Sequence, residues 1–410
     1  MTIRSVRVID GTGQTIERAT VVIRGSTIAA IGSDRDLSPP RGTYKIDGRG
    51  LTLLPGLIDC HVHLCLGAEP DVVDVVAKEA PALTLLKSSR SARQTLEAGF
   101  TTVRDVGSRD HSIFMLQRAI DEGLVPGPRI VAAGLAICMI GGHARFIGQE
   151  VEGAEQVRSV VRAQLTAGAG VIKVIASGGV LTPGTSPDQA QMTVEELRAA
   201  VDEAERAGRK IAAHAHGSSG MKNAIQAGVH SIEHATLMDG EAATMMKRQG
   251  VFMVPTLSAL ATTAACRIGC GIPESALDKA KSMTKRHQVS FKNALRDGIQ
   301  IAMGTDAGTP FNFHGENAQE LERMVAFGMS PMQAILASTS AAARLIGIQD
   351  QVGTVEKGKL ADLLLFEGNP LRRIDLLRDR NRIIGVMQHG RFVAGPLAEN
   401  LLPFTPHRLS

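Results

Sequence analysis

The sequence predicts an α/β fold, a (β/α)8 barrel of the TIM type with a small β-sandwich domain built from both termini. Three observations predict it. Short apolar runs alternate with helix-patterned stretches through the middle of the chain, both ends carry strand patterns, and 410 residues suit one large barrel with an appendage. A doubly wound sheet is the alternative for the same alternation, but the residues at the strand ends argue against it.

The two ends of the chain are rich in β-branched runs that stop at turns. The predicted terminal strands are Ser5–Ile9, Thr20–Arg24, Ala361–Phe366, Ile383–Met387 and Arg391–Val393. Neither end has enough strands to close a sheet alone, so we expect both to share one sandwich. The predicted domains are 1–54 for the N-terminal part of the sandwich, 55–356 for the barrel and 357–410 for the C-terminal part.

The middle of the chain alternates between strand and helix patterns. The predicted barrel strands are Leu53–Ile58, Thr101–Val106, Arg129–Ala133, Val171–Ile175, Lys210–Ala215, Ser231–His234, Phe252–Pro255 and Ile299–Gly304. The predicted helices between them include Leu83–Glu97, Gln156–Ala167 and Glu195–Ala207. A capping box of Thr193 and Glu196 begins the third helix, and two helices end at Gly168 and Gly208.

Composition narrows the classes of function. With a net charge of +4, one Tyr and no Trp, the chain lacks the basic stripe and the aromatic platforms of nucleic-acid binding. No apolar stretch approaches the roughly 18 residues of a membrane span and no signal-peptide pattern is found, so we expect a cytoplasmic protein. The five cysteines form no disulfide framework, and Cys266 and Cys270 are interpreted as two ordinary thiols.

Metal-type side chains fall at the carboxyl ends of successive predicted strands. They are His61 and His63 on the first strand, Lys173 on the fourth, His214 and His216 on the fifth, His234 on the sixth and Asp306 on the eighth. Residues two apart in a strand face the same side, and active sites of this fold lie at that end. Taken singly, each residue has a structural explanation, such as a packed histidine or a turn-forming aspartate. Their coincidence on five strands predicts a metal site.

Several motifs together resemble the amidohydrolase superfamily over nearly the whole chain. They are Pro55–His63, Gly99–Asp105, Val171–Lys173, Ala213–His216, Ile232–His234, Gly304–Asp306 and Gly353–Leu363. Within the superfamily the chain is similar to the binuclear branch with a carboxylated lysine. That branch includes prolidase-like and Xaa-Arg dipeptidases and related N-acyl amino acid hydrolases.

The resemblance implies a site for two divalent metal ions. The implied ligands are His61 and His63 for the more buried ion, His214 and His234 for the more exposed one, Asp306 to complete the buried site, and Lys173, carboxylated by CO2, as the bridge. Such ligands suit Zn2+, with manganese and iron as alternatives. An apolar setting should lower the pKa of Lys173 and favour the neutral amine that takes up CO2. Asp306 can take a proton from the water that two ions activate and pass it to the leaving amine.

Four residues near the site are candidates for substrate contact. His143 polarises a carbonyl or holds the substrate in similar sequences, or it packs on the barrel rim; with Asp306 it completes the predicted catalytic pair. Arg145 could pair with a carboxylate, and His216 should point into the mouth of the barrel. His314 contacts either the ligand or its own loop.

Two loops, Ser177–Met192 and Ala259–Pro273, are longer than plain connections of this fold. Their length is typical of lids that cover an active site. Flexible loops without a function are the alternative.

These residues predict a metal-dependent hydrolase that cleaves a carbon–nitrogen amide bond with a metal-bridged hydroxide. The resemblance implies dipeptides or N-acyl amino acids with a free carboxylate as small-molecule substrates, and a homo-oligomer is compatible with it. A cyclic-amide hydrolase, which uses the same lysine-bridged pair, is one alternative. A deaminase is another, although Ala-His-Gly-Ser follows His214 where deaminases usually carry a glutamate. A non-catalytic scaffold predicts lost ligands, and all six are present.

Overall fold

The computed structural model describes residues 1–38 and 40–400, so residue 39 and the last ten residues of the predicted segment 357–410 lie outside the described residues. The strands are β1 (Thr2–Ile9), β2 (Thr15–Arg24), β3 (Thr27–Ser33), β4 (Lys45–Asp47), β5 (Leu51–Pro55), β6 (Leu57–Val62), β7 (Phe100–Asp105), β8 (Arg129–Ala132), β9 (Ala136–Met139), β10 (Gly148–Val151), β11 (Val171–Ile175), β12 (Lys210–Gly217), β13 (Ser231–Leu237), β14 (Phe252–Val254), β15 (Leu363–Glu367), β16 (Ile383–Gln388) and β17 (Arg391–Ala394). The α-helices are α1 (Val72–Lys78), α2 (Pro81–Glu97), α3 (Ser112–Asp121), α4 (Gly153–Ala167), α5 (Val194–Arg206), α6 (Ser218–Ala227), α7 (Gly240–Gln249), α8 (Leu257–Ala265), α9 (Glu274–Asp297), α10 (Gln319–Ala326), α11 (Pro331–Ala337), α12 (Ser340–Ile346) and α13 (Pro396–Asn400). Short 3-10 helices cover Arg145–Ile147, Ile374–Arg378 and Arg380–Arg382. None of these helices is long and apolar enough to cross a membrane.

Strands from both ends of the chain pair in one mixed sheet of eight strands. Their order is β17-β16-β15-β5-β1-β2-β3, with β4 beside β1. Strand β5 pairs antiparallel with β15, which sets Leu54 opposite Leu364. Ile3, Val21 and Leu363 belong to one buried cluster of this sheet. The two ends therefore complete one another, because neither supplies all the strands of the sheet.

The middle of the chain forms two parallel sheets whose strands alternate with helices. One sheet has the strand order β10-β9-β11-β12-β13-β14 and the other β6-β7-β8. Every pair in them is parallel, which confirms the α/β class. His214 on β12 lies opposite Ile175 on β11 and Glu233 on β13. The carboxyl ends of these three strands, and the residues that follow them, therefore meet at one edge.

The predicted eighth strand, Ile299–Gly304, is not assigned as a strand, although its backbone is bonded on two sides. The amide of Ala302 donates to the carbonyl of Met253 at 3.0 Å, and the amide of Cys60 donates to the carbonyl of Met303 at 2.9 Å. These bonds place the segment between β14 and β6. Its contact with β14 is a single bridge rather than a ladder, which explains why no strand is defined.

The predicted helix ends are confirmed at two places. Thr193 Oγ1 accepts from the amide of Glu196 at 3.2 Å, and the Glu196 carboxylate accepts from the amide of Thr193 at 2.8 Å. This capping box begins α5, as expected. Gly168 ends α4 in the left-handed region with φ 113°, a conformation that glycine adopts without a steric penalty.

The segment predicted as the loop Ala259–Pro273 instead begins in a helix. Helix α8 covers Leu257–Ala265, a run of leucine, alanine, serine and threonine without glycine or proline. Cys266 and Cys270 follow the helix and form a disulfide, so their interpretation as two ordinary thiols was wrong. The chain turns sharply after α8, and the resulting Cα separation of 6.3 Å lies within the span of a disulfide.

Candidate active site

His61 on β6 and His63, directly after it, each direct a ring nitrogen toward the same carboxylate. The Nδ1 atom of His61 donates to the carboxylate of Glu233 at 2.8 Å, and that of His63 donates to the carbonyl of Gly107 at 2.8 Å. Because these acceptors take the Nδ1 protons, both Nε2 atoms keep a free lone pair. The Nε2 atoms lie 3.4 and 3.3 Å from Oδ1 of Asp306. The structure thus brings these three predicted ligands together.

The predicted ligands at the ends of β12 and β13 also meet. The Nδ1 atom of His214 lies 2.8 Å from Nε2 of His234, whose own Nδ1 is bonded to the hydroxyl of Thr256 at 2.7 Å. Two clusters of three residues could each hold a metal ion, because the ligand atoms within each cluster lie within 4.8 Å of one another. One cluster is His61, His234 and Asp306, and the other is His214, His216 and His234. Imidazole and carboxylate groups so arranged suit divalent cations.

Lys173 completes the predicted set from the middle of β11. Its side chain is buried, and its Nζ has no hydrogen-bond partner among the described residues. Burial lowers the pKa of Lys173 to about 8. A buried amine without a partner is unfavourable, whereas a neutral amine can take up CO2 and become an anionic metal ligand. The unpartnered nitrogen therefore fits the implied bridging role.

The charges of the site are those that metal ligands need. Burial opposes the charge of Asp306, but the neighbouring His61 and His63 outweigh it and hold the pKa of the carboxyl well below its usual range. Burial lowers the pKa of His214 and His234 well below that of a free imidazole. An ionised carboxylate at Asp306 and neutral imidazoles at His214 and His234 are the forms in which these groups bind metals.

Three residues of the site have a left-handed backbone. The φ angles of Asp306, His234 and Thr256 are 60°, 70° and 50°. For a residue other than glycine this conformation costs of order 1–3 kcal/mol and tends to occur at functional sites. His234 lies within β13, Thr256 follows the end of β14, and Asp306 follows the segment between β14 and β6, so the strained positions coincide with two predicted ligands and with the partner of one of them.

A buried ion pair lies beneath His61. The guanidinium of Arg104 donates to Glu233 at 2.9 and 3.0 Å, to the carbonyl of Cys60 at 2.6 Å and to Ser231 at 3.1 Å. Burial opposes the charge of Glu233, but Arg104 and then His61 outweigh it and lower the pKa of Glu233 to about 2. Glu233 is therefore a permanent acceptor that fixes the His61 ring. Sequence reasoning missed this pair, although Glu233 directly precedes a predicted ligand.

Asp59 is a second buried carboxylate that the sequence analysis did not single out. It accepts from the amides of His61 and Thr305 at 3.0 and 3.1 Å, and from the side chains of Thr305 and Asn317 at 2.6 and 2.7 Å. These bonds fasten β6 to the segment that leads into Asp306. An acidic residue inside an apolar strand, two positions before a ligand, is the signal that could have identified it.

The donor groups form one part of the lining of a cavity, the donor wall. The apolar part of the lining, the apolar wall, consists of Leu66, Val106, Ala136, Ala144, Phe146, Ile147, Ile175, Val180, Leu181, Ala259 and Leu260. Among the described residues that line the cavity, Lys173 and Asp306 are the only lysine, arginine, aspartate or glutamate side chains. The lining thus combines a set of donor groups with an extensive apolar surface.

Two of the predicted substrate contacts, His143 and His216, line this cavity. The ring of His143 lies 4.6 Å from that of His214, and its Nδ1 is bonded to the hydroxyl of Thr182 at 2.9 Å. His216 stacks on His234 at 4.6 Å and bonds a threonine hydroxyl through Nδ1. Burial lowers the pKa of His143 to about 3 and that of His216 well below its usual value. Both rings are therefore neutral and can each donate one hydrogen bond.

The other two predicted contacts, Arg145 and His314, do not reach the cavity. Arg145 is exposed, because Ala144 has a φ of 61° and turns the chain between His143 and the arginine. The Nε2 atom of His314 donates to the carbonyls of His63 and Leu66 at 3.2 and 3.0 Å. In this structure His314 therefore supports the loop that follows β6, and Arg145 faces solvent.

Comparisons with known proteins agree with the α/β fold. The family model described as the amidohydrolase family matches residues 52–393. Ochratoxinase from Aspergillus niger is 31% identical over an alignment 423 residues long, which covers 95% of this chain and 85% of that protein. A crystal structure of a Xaa-Pro dipeptidase with methionine in its active site is 37% identical, with a TM-score of 0.89, and covers 96% of this chain and 99% of that one. A prolidase bound to N-methylphosphonate-L-proline is 32% identical, also with a TM-score of 0.89, and covers 96% and 98%.

Proposed function

The chain belongs to the amidohydrolase family, and we propose that it hydrolyses the amide bond of dipeptides or N-acyl amino acids that carry a free carboxylate. One observation carries the proposal: four histidines, Asp306 and the unpartnered Lys173 line one cavity. The similar proteins support the bond type, since one is a Xaa-Pro dipeptidase and another a prolidase by name.

The donor set fits two divalent cations, for which we propose Zn2+. The proposed ligands are His61, His63 and Asp306 for one ion, His214 and His234 for the other, and Lys173 as a carbamate between them. Bound there, the ions would lower the pKa of a shared water and polarise the scissile carbonyl. The buried amine of Lys173, with no partner in the described part of the chain, supports the carbamate.

The residues of the chain handle the proton and the substrate. Asp306 accepts a proton from the attacking water and returns it to the amide nitrogen as the carbon–nitrogen bond breaks. Its ionised state supports this role. Neutral His143 and His216 each donate a hydrogen bond, one to the carbonyl oxygen and one to the carboxylate of the substrate. Their positions on the cavity wall support these contacts.

The apolar wall of the cavity is evidence for a substrate with an apolar side chain. Leu181, Leu260 and Phe146 line the cavity, and the only carboxylate among the described lining residues, that of Asp306, belongs to the proposed metal site. An arginine or lysine side chain would lose its hydration there without gaining a partner. Apolar amides are therefore the proposed substrates rather than Xaa-Arg or Xaa-Lys dipeptides.

A paired substrate screen tests the proposal. Zinc-loaded protein is given N-acetyl-leucine against N-acetyl-arginine, and Leu-Pro against Arg-Pro, with Lys173→Ala as the inactive control. We expect the apolar member of a pair to be cleaved at least about tenfold faster. No product from any linear amide, or turnover of cyclic ureides alone, would overturn the function, and a preference for arginine would overturn the side-chain assignment.

The finer architecture is part of the same proposal. We propose that both parallel sheets belong to one (β/α)8 barrel covering 55–356, and that 1–54 and 357–410 build a sandwich. The bond from the amide of Gly170 to the carbonyl of Ala132, 2.8 Å, and that from Cys60 to Met303 support a continuous ring of strands. The cytoplasmic location stays a prediction.

A further inference from the structure

A lysine of α9 donates three hydrogen bonds to a long loop that contributes to the cavity lining. The loop Ser177–Met192 connects β11 to α5, and Lys279 reaches it from α9. The ammonium of Lys279 donates to the carbonyls of Gly179, Thr182 and Thr185 at 3.2, 3.0 and 2.7 Å. An ammonium has three hydrogens, so all of them serve this loop. The loop carbonyls, which have no ladder partner in a strand, thereby gain a charged donor.

Apolar packing joins the same two elements. Val180 of the loop and Leu277 of α9 belong to one buried cluster with Leu260. Val180 and Leu260 also line the cavity. The loop, the helix and part of the cavity lining therefore pack together, and Lys279 adds hydrogen bonds between the helix and the loop.

The loop in turn fixes the ring and the backbone of His143. Thr182 Oγ1 lies 2.9 Å from Nδ1 of His143, and the amide of His143 donates to the side chain of Gln191 at 2.9 Å. At Gly179 an added Cβ would lie 2.2 Å from Nε2 of His143, so the bare backbone of the loop allows the ring its position. Both ends of the loop thus define where this histidine stands.

The hydroxyl of Thr182 also decides which nitrogen of His143 carries the proton. Its oxygen accepts from the amide of Ala144 at 3.4 Å. Within the described residues, Nδ1 of His143 is the only acceptor in reach of the hydroxyl hydrogen, and a buried hydroxyl left unpaired is costly. The hydroxyl therefore donates to Nδ1, and the proton of the neutral ring is on Nε2. That Nε2 has no partner in the described part of the chain and is not a fully buried atom, so it is open to the cavity.

We propose that Lys279 and Thr182 are positioning residues that present the Nε2 proton of His143 to the substrate. Lys279 holds the loop, and the Thr182 hydroxyl on that loop selects the proton-bearing nitrogen. The role of the proton in amide hydrolysis rests on the proposed function, whereas the protonation of His143 does not.

Kinetics of matched variants test the proposal. Thr182→Val removes the hydroxyl at nearly constant shape, and Thr182→Ser keeps it. We expect Thr182→Val to lower kcat at least about tenfold with little change in KM, since a hydrogen bond to developing charge is lost. Thr182→Ser should stay within about threefold of the parent. Equal activity of all three proteins would overturn the proposal.

The ring itself can be observed without any substrate. Zinc-loaded protein labelled with 15N-histidine should show a protonated Nε2 and a bare Nδ1 for His143, assigned from the signals lost in His143→Gln. Thr182→Val should change this pattern. A proton on Nδ1 in the parent overturns the proposal. If no linear amide is cleaved while the Nε2 proton is found, the proposed function fails and the positioning of His143 stands.

Hydrogen exchange tests the part played by Lys279. Lys279→Met should accelerate amide exchange in residues 177–192 and lower kcat about tenfold or more, because small displacements of a positioned group reduce rates strongly. Lys281→Met, an exposed lysine of the same helix, is the matched control and should change neither. Unchanged exchange in Lys279→Met, at an unchanged melting temperature, would overturn the role of the lysine.

Discussion

The two walls of the cavity are built in different ways. On the donor wall, hydrogen bonds to Glu233, Gly107 and Thr256 each fix a histidine ring. The apolar wall consists of side chains such as Leu181 and Leu260, which are held by apolar packing. Strand ends carry the first wall, and loops and α8 carry much of the second. The reaction type is therefore fixed by the strands, whereas substrate choice depends on elements that can change separately.

The largest expected effect on activity comes from a change in the donor wall, at Lys173. Lys173→Ala should abolish activity and reduce metal content, because the proposed bridging ligand is removed. Short-chain carboxylic acids should partly restore both, since they can occupy the space of the lost carbamate. Elemental analysis and amide hydrolysis measure the outcome, with Lys210→Ala at the opposite end of a neighbouring strand as control. Full activity in Lys173→Ala would remove the bridge from the mechanism.

The second prediction concerns the support behind the ligands. Glu233→Gln should weaken metal affinity or activity by about 10- to 100-fold, as expected when the partner of a ligating histidine loses its charge. The change also leaves Arg104 buried without a counter-charge. Competition with a chelator measures the affinity, and a melting curve separates it from unfolding. An unchanged affinity in a folded variant would mean that His61 needs no charged partner.

The third prediction addresses the apolar wall. Leu181→Ala should lower kcat/KM for apolar substrates by about tenfold and leave the metal content unchanged, because part of the binding surface is lost. Leu124→Ala removes an exposed leucine far from the lining and serves as control. If Leu181→Ala also lost metal, the two walls would not be independent.

The smallest expected effect concerns the contribution of His230 to the stability of the protein at acidic pH. Burial, together with the nearby Lys210 and Arg104, lowers the pKa of His230 to about 4. The unfolded chain binds this proton near pH 6.5, so the stability that His230 contributes is complete above pH 6.5 and is lost between 6.5 and about 4. Between pH 6.5 and about 4, the melting temperature of His230→Gln should fall by about 1–2 °C less than that of the parent protein. An identical pH profile would assign the acid sensitivity to the cavity histidines alone.

The convergence of the proposed ligands could be predicted from sequence because it depends on local rules. Alternate residues of a strand share a face, and parallel strands align their carboxyl ends, so His61, His63 and His214 need no knowledge of distant contacts. The positions of His143 and Arg145 could not be predicted in the same way. One left-handed residue between them sends the first inward and the second outward, and no residue pattern marks Ala144 for that conformation.

Residues that support the site were missed because their partners are far away in sequence. Lys279 is separated from the carbonyl of Thr182 by 97 positions, and Arg104 from Glu233 by 129. A lysine on an amphipathic helix usually faces solvent, so nothing local indicates that its ammonium is committed to a loop. Such contacts follow only from the packing of α9 against the cavity.

The pairing of β5 with β15 has a consequence for how the protein folds. Only Gly56 separates β5 from β6, which carries His61 and leads directly into His63. Strand β5 pairs with β1 on one side and with β15, from the far end of the described chain, on the other. Contacts between such distant segments form slowly. Metal uptake should accordingly be a late event in folding, after the two terminal segments have paired.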